Sequence, residues 1–203
     1  MIKKINKQGV SCLYEPTTGV GPLITKKAAG AGVSIEGAQL GSLTGGNTGE
    51  FEAVWPEEVI QLVDDLKDTC ESIADSCMGL AATQIWDSNA PCPAIFVMRW
   101  PVSKEHDPKN SRGWIWQEFI NPIVKLSGKT QKMQEGCLSY PGVTVKKTRK
   151  GTVDFIYQTL DHPKQRRFKL NMREHGWVPH VIQHEYDHLK GKCIRSKNWT
   201  KNG

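Results

Sequence analysis

The stretch Gln183-His184-Glu185-Tyr186-Asp187-His188 decides how this chain is read. Two imidazoles four residues apart lie one turn apart on the same face of a helix, so both can grip one metal ion. Glu185 then sits beside that ion, close enough to handle a proton on metal-bound water. A surface helix with two solvated histidines is the alternative, and the third ligand separates the two readings. Only fifteen residues follow His188, and none is Glu, Asp or His. The soft group among them, Cys193, lies five residues past His188 and just beyond the expected helix stop at Gly191. It would have to fold straight back onto the helix and is not expected to ligate. A third ligand must therefore come from upstream, which weakens a protease reading.

The upstream candidate is Cys137, in Gln134-Glu135-Gly136-Cys137-Leu138-Ser139-Tyr140-Pro141-Gly142. Gly136 lets the backbone run close to a metal or substrate, and Pro141-Gly142 ends the segment in a turn. A thiolate with two neutral imidazoles suits zinc, iron(II), nickel or cobalt and leaves a fourth position for water. Taken alone, Cys137 reads equally as a buried apolar cysteine. A third segment, Cys77-Met78-Gly79-Leu80-Ala81-Ala82-Thr83-Gln84, has small residues that permit close backbone contact and a neutral amide donor in Gln84.

Together these segments resemble the peptide deformylase family, which carries Gly-x-Gly-Leu-Ala-Ala-x-Gln, Glu-Gly-Cys-Leu-Ser and Gln-His-Glu-x-Asp-His-Leu in this order. The second and third are matched at every fixed position; the first departs once, with Cys77 in place of a glycine. The resemblance spans roughly residues 56–195. It implies removal of the N-formyl group from the initiator methionine of nascent polypeptides, with release of formate. It also implies metal ligation by Cys137, His184 and His188, with iron(II) as the frequent native metal. Glu185 is then the proton acceptor, and Gln84 with the Leu138 backbone N–H stabilises the oxyanion. Met78, Gly79, Gly136, Trp177, His180 and Val181 become candidates for substrate binding. Trp177, His180 and Val181 precede His184 by seven, four and three residues and so share or flank its face of the helix. His180 stands where an aliphatic residue or Arg is typical, and Asp187 is expected to pair with Arg149. Common bacterial deformylases carry a longer C-terminal helix after the third motif. The resemblance therefore implies a short form without it, and leaves ribosome docking open.

Length and composition agree with a single catalytic domain over residues 1–203, large enough to bury a core without staples. No apolar run approaches membrane-spanning length, and residues 1–7 lack the apolar stretch of a signal peptide. The six cysteines then read as reduced thiols in a cytoplasmic protein. A formal net charge of +6 fits a Lys-rich soluble surface rather than a specific nucleic-acid partner. A monomer is expected. Two rival classes remain: a zinc protease of unfamiliar type, and an inactive metal-binding homologue acting as a ribosome-associated factor.

Residues 1–54 read as irregular. Nine glycines fall between Gly19 and Gly49 without a fixed period, so a long loop or an extra hairpin is expected rather than a phosphate cradle. Pro56 opens a helix to about Ser76, with Glu57 and Glu58 in its first turn and apolar residues recurring at helical spacing from Val59 to Ile73. Strand-like runs follow at 94–98, 119–126, 152–160 and 166–170, with a polar loop at 103–112. The last helix should start near Trp177-Val178-Pro179 and stop at Gly191. The fold expected is α+β, with antiparallel strands wrapped around a central metal-binding helix.

Overall fold

The computed structural model describes residues 2–5, 17–21, 23–26, 34–35, 51–101 and 113–194. The expected polar loop at 103–112 lies outside them, as does Cys12. Within the region read as irregular, β1 (Leu23–Lys26), β2 (Ser34–Ile35) and β3 (Phe51–Val54) pair antiparallel in the order β2-β1-β3.

Pro56 fixes the entry to α1 (Glu57–Ser72), where its missing N–H costs nothing, and Glu57 and Glu58 face the positive end of the helix. Val59, Leu62, Val63, Leu66 and Cys70 form the buried stripe. The helix stops four residues before the expected Ser76, and Ile73 becomes its C-cap. The chain then enters β4 (Gly79–Ala81), a single 3-10 turn at Ala82–Gln84, and β5 (Ile95–Pro101).

β6 (Trp114–Gly136) and β7 (Thr144–Gln158) are far longer than their apolar runs, and β8 (Arg166–Asn171) closes a five-stranded antiparallel sheet in the order β4-β5-β6-β7-β8. Their extra length is the arm that pairs Thr130–Gly136 with Thr144–Lys150. Most side chains of that arm face water on β6, so no apolar alternation marks it, and backbone pairing defines it instead. A register shift between Ile120 and Ile123 bends β6. There Asn121 adopts φ 49°, a left-handed conformation that asparagine tolerates. Its side chain donates to Gln158 Oε1 at 2.7 Å and accepts from the Val20 N–H at 2.8 Å.

Both faces of β5 are buried, so its run is continuously apolar rather than alternating. Ile95 and Val97 join Leu80 and Ile120 under α1. Phe96 and Met98 face the other way, with Phe119, Val153, Phe155 and Leu170, and receive α3 (Val178–Leu189). Gly191, at φ 68°, ends that helix in the expected place. A one-turn helix, α2 (Met172–His175), precedes it and is capped by the Asn171 side chain, which accepts from the Glu174 N–H. The sheet thus holds a helix against each face, and α3 lies on the side where β6 and β7 run out into the long arm.

Phe119 anchors the α3 side, fully buried, with ring centroids 5.1 Å from Phe96, 5.2 Å from Phe155 and 4.7 Å from Tyr157. Phe119→Ala is expected to destabilise the protein by about 3–5 kcal/mol, read as the shift in its urea unfolding curve. A loss below about 1 kcal/mol would mean that this aromatic layer is not tightly packed.

Candidate metal centre

Cys137 stands immediately after β6, in the turn where its carbonyl accepts the Tyr140 N–H at 2.9 Å. His184 and His188 project from one face of α3 with ring centroids 5.0 Å apart. The Cys137 Sγ lies 3.3 Å from His188 Nε2, and one ligand atom from each of Cys137, His184 and His188 falls within 4.8 Å of the others. Burial depresses the proton affinity of both imidazoles, strongly for His188, so both are neutral with a lone pair available. Burial pushes the Cys137 thiol up to about 12. Two neutral imidazoles and a thiol that nothing ionises form a donor set suited to a divalent metal of the zinc or iron(II) kind.

The imidazole of His184 is held from behind. Its Nδ1 donates to Glu135 Oε2 at 2.8 Å, leaving Nε2 for ligation. Glu135 also accepts from Arg149 at both oxygens, at 2.6 and 2.9 Å, and from His180 Nε2 at 3.0 Å. Burial alone would raise its proton affinity, but the hydrogen bonds from His180, His184 and Arg149 hold it well below the usual carboxylate range. Arg149 reaches on to Asp187 Oδ2 at 2.6 Å, and Lys147 meets the same oxygen at 2.9 Å. The Arg149–Asp187 pair expected from the sequence is present. Burial works against the Asp187 charge too, and Arg149 and Lys147 outweigh it. Sequence reasoning gave Glu135 and Lys147 no role. The available signal was adjacency: Glu135 stands two residues before Cys137 in the segment already singled out.

Glu185 turns from α3 toward β4. A Cβ built on Gly79 would lie 2.7 Å from Glu185 Oε1, so only glycine lets strand and carboxyl approach this closely. Burial, and then the nearby Cys77 thiol, raise the Glu185 carboxyl well above its usual range. Its Oε2 is buried with no hydrogen-bond partner. The Gln84 side chain accepts from the Ala81 N–H at 2.9 Å, which turns its amide nitrogen toward Ser139 Oγ at 3.3 Å and Cys137 Sγ at 3.9 Å.

A cavity of about 590 Å³ opens beside these groups. Met78, Gly79, Gln84, Gly136, Cys137, Leu138, His180, Val181, His184 and Glu185 all line it. Trp177 does not. It caps the N-terminus of α3, and its ring packs against Trp114 at 4.9 Å, which turns it away from the cavity. His180 is not among the convergent ligand atoms, and its Nε2 donates to Glu135. Tyr140 and Val143 line the cavity without having been expected there.

An antiparallel sheet carrying a His-Glu-x-x-His helix, with a cysteine converging on it, makes this a protein of the α+β class with a candidate metal site. A model of the polypeptide deformylase family matches residues 47–200. The chain is 30% identical to a peptide deformylase of Wolbachia pipientis over 141 residues, covering 66% of this chain and 74% of that protein. A Rickettsia prowazekii peptide deformylase is 40% identical over 94 residues, covering 45% of this chain and half the length of that relative. The crystal structure of the Thermotoga maritima peptide deformylase superposes with a TM-score of 0.61 at 22% identity, covering 96% of this chain and 95% of that one. A probable peptide deformylase from Synechococcus phage S-SSM7 gives 0.61 at 23% identity, covering 94% and 96%. The chain belongs to the polypeptide deformylase family, which is metal-dependent.

Metal loading should release the Cys137 proton, because that thiol is neutral in the metal-free protein and both imidazoles already are. Binding therefore tightens as pH rises, by roughly tenfold per unit between about pH 6.5 and 8.5 for one proton released. Glu185 adds a second proton wherever it also ionises on loading, and Glu185→Gln restores the slope to one. Zinc affinities from chelator competition across that range check this. A flat profile in both proteins would mean that the thiolate exists before metal arrives.

Proposed function

We propose that the protein is a metal-dependent hydrolase that removes the N-formyl group from the initiator methionine of nascent polypeptides, releasing formate. One observation carries this reading: Cys137, His184 and His188 converge to within 4.8 Å of one another, with the buried Glu185 carboxyl, whose Oε2 has no hydrogen-bond partner, lining the same cavity as Cys137 and His184. A cation held by Cys137, His184 and His188 would activate water and polarise the formyl oxygen. Iron(II) or zinc both suit these ligands.

Each residue has a definite task. Glu185, whose buried Oε2 has no hydrogen-bond partner, accepts the proton of the attacking water and passes it to the leaving amine. The Gln84 amide nitrogen is held beside Cys137 by the Ala81 N–H, so it meets the oxyanion without reorganising. The Leu138 backbone N–H is the second donor proposed. Glu135 orients His184, and Gly79 provides the room in which Glu185 stands. Met78, Val181 and His180 border the space for the methionine side chain, with Gly136 and Gly79 admitting the peptide backbone. The substrate is a formyl-methionyl nascent peptide in the cytoplasm. No helix among the described residues is long and apolar enough to cross a membrane.

Formate release from formyl-Met-Ala-Ser under anaerobic conditions, with metal analysis, tests the reading. Cys137→Ser is expected to lose most bound metal and activity. Glu185→Gln should keep the metal and lose roughly 10² to 10⁴ in turnover. Near wild-type turnover in Glu185→Gln would reassign the proton transfer.

The cavity wall generates a separate expectation. A methylene is worth only about 1–3 kcal/mol in an apolar pocket, so formyl-Met and formyl-norleucine tripeptides should differ little in kcat/KM. Formyl-Gly should fall far below both. Equal efficiency on formyl-Met and formyl-Gly would remove Met78, His180 and Val181 from the side-chain site.

A further inference from the structure

The two histidines of the cluster are supported differently. His184 leans on the Glu135 carboxylate. His188 has no carboxylate within reach of its second ring nitrogen among the contacts of the described residues; instead, Cys193 Sγ lies 3.7 Å from His188 Nδ1. Cys193 is fully buried and packs with Tyr140 and Ile194 in a small cluster that Cys137, Val143 and Val145 complete. One imidazole is therefore flanked by two cysteines, Cys137 at Nε2 and Cys193 at Nδ1.

These contacts have opposite meanings. The distance of 3.3 Å from Cys137 Sγ to His188 Nε2 places that nitrogen in the ligand cluster, where it must offer a lone pair. A neutral imidazole with a bare Nε2 carries its proton on Nδ1. That proton points to Cys193 Sγ, and a sulfur acceptor takes a hydrogen bond at this longer distance. Cys193 occurs just after Gly191, whose φ of 68° turns the chain back along α3. The reversal is fixed by Lys192 N–H donating to the Asp187 carbonyl at 2.9 Å. The position of Cys193 is thus set by the helix stop itself, and the thiol returns to the one ring atom that determines the tautomer.

We propose that Cys193 is a positioning residue for the metal centre: it accepts the Nδ1–H of His188, locks the Nε2-ligating tautomer, and fixes the ring plane. It is not a ligand. The inference rests on the proposed metal site, and it adds that this site draws its second support from a thiol where a carboxylate serves the first. Sulfur is a weak acceptor, so the expected contribution lies at the low end of the 10- to 100-fold range seen for such outer partners.

The test compares the wild type with Cys193→Ser and Cys193→Ala, each as the full chain. Zinc dissociation constants come from competition with a chromophoric chelator, metal-free thermal midpoints control for folding, and two-bond ¹H–¹⁵N correlations of the metal-free proteins report the His188 tautomer. Cys193→Ala is expected to bind zinc roughly tenfold more weakly and to show mixed His188 tautomers. Cys193→Ser, which keeps an acceptor, should stay within about threefold of the wild type and hold the Nδ1–H form. Equal zinc affinity in all three proteins would overturn the proposal, as would a wild-type His188 protonated on Nε2. Equal weakening of both variants, tracking a lower midpoint, would also overturn it by reducing Cys193 to packing. A wild type that binds no zinc is a distinct failure, since it removes the metal site and not only its support.

Discussion

The buried carboxylate of Glu135 is the constraint on which the rest of the site depends. It ends β6, yet it receives both arms of the Arg149 guanidinium from β7 and two imidazoles from α3. An ionised carboxylate in such a place costs several kcal/mol in lost hydration, and only a full set of donors offsets it. Here every lone pair that matters has one. Strand, neighbouring strand and helix are thereby locked in a single register relative to one another. A slip of β6 by one residue would move Glu135 to the opposite face and leave Arg149 and His184 without their acceptor. Such a network adds little net stability compared with an apolar core of equal volume. Its benefit is directional, and here it points the His184 lone pair into the cluster.

Around that carboxylate the charges alternate. Arg149 joins Glu135 to Asp187, and Lys147 closes on the same Asp187 oxygen. Two acids and two bases cancel, so the network presents no net charge to the neighbouring cluster. Burial is the first influence on the cluster, lowering the proton affinity of both imidazoles and raising that of the thiol, and the charges of Arg149 and Lys147 depress the imidazoles further. Lys147 already depresses the His188 imidazole, and without Asp187 beside it that field would act unopposed and weaken cation binding there.

The helix-borne half of this site was legible in the sequence because helical spacing converts directly into geometry. His184, Glu185 and His188 needed no tertiary information, and α3 begins and ends where Pro179 and Gly191 suggested. Cys137 and Gln84 followed from motifs, although their convergence depends on a sheet whose order no periodicity reveals. Three features were not legible. The polar arm of β6 and β7 lacks an apolar face, so its 23- and 15-residue strands looked like short ones. Glu135 is a charged residue that a hydrophobicity pattern assigns to solvent, and only four donors from other segments make it an interior group. Trp177 shares the helical phase of the cluster, but phase gives an angle and not a depth. At the first turn of α3 that angle meets Trp114 instead of the cavity.

The contact between Gly79 and Glu185 ties the chemistry to the occupancy of the site. Backbone and carboxyl are so close that water cannot solvate Oε1 from that side, and burial raises the carboxyl well above its usual range. A dication held by Cys137, His184 and His188 would favour the ionised carboxylate through its charge alone, reversing the direction set by burial. In the proposed reaction, loading of the neighbouring ligands would thus favour the basic form of Glu185. The same glycine that admits the carboxyl shields it from solvent on that side, so in the proposed reaction one missing Cβ sets how far burial and a bound cation pull the carboxyl in opposite directions.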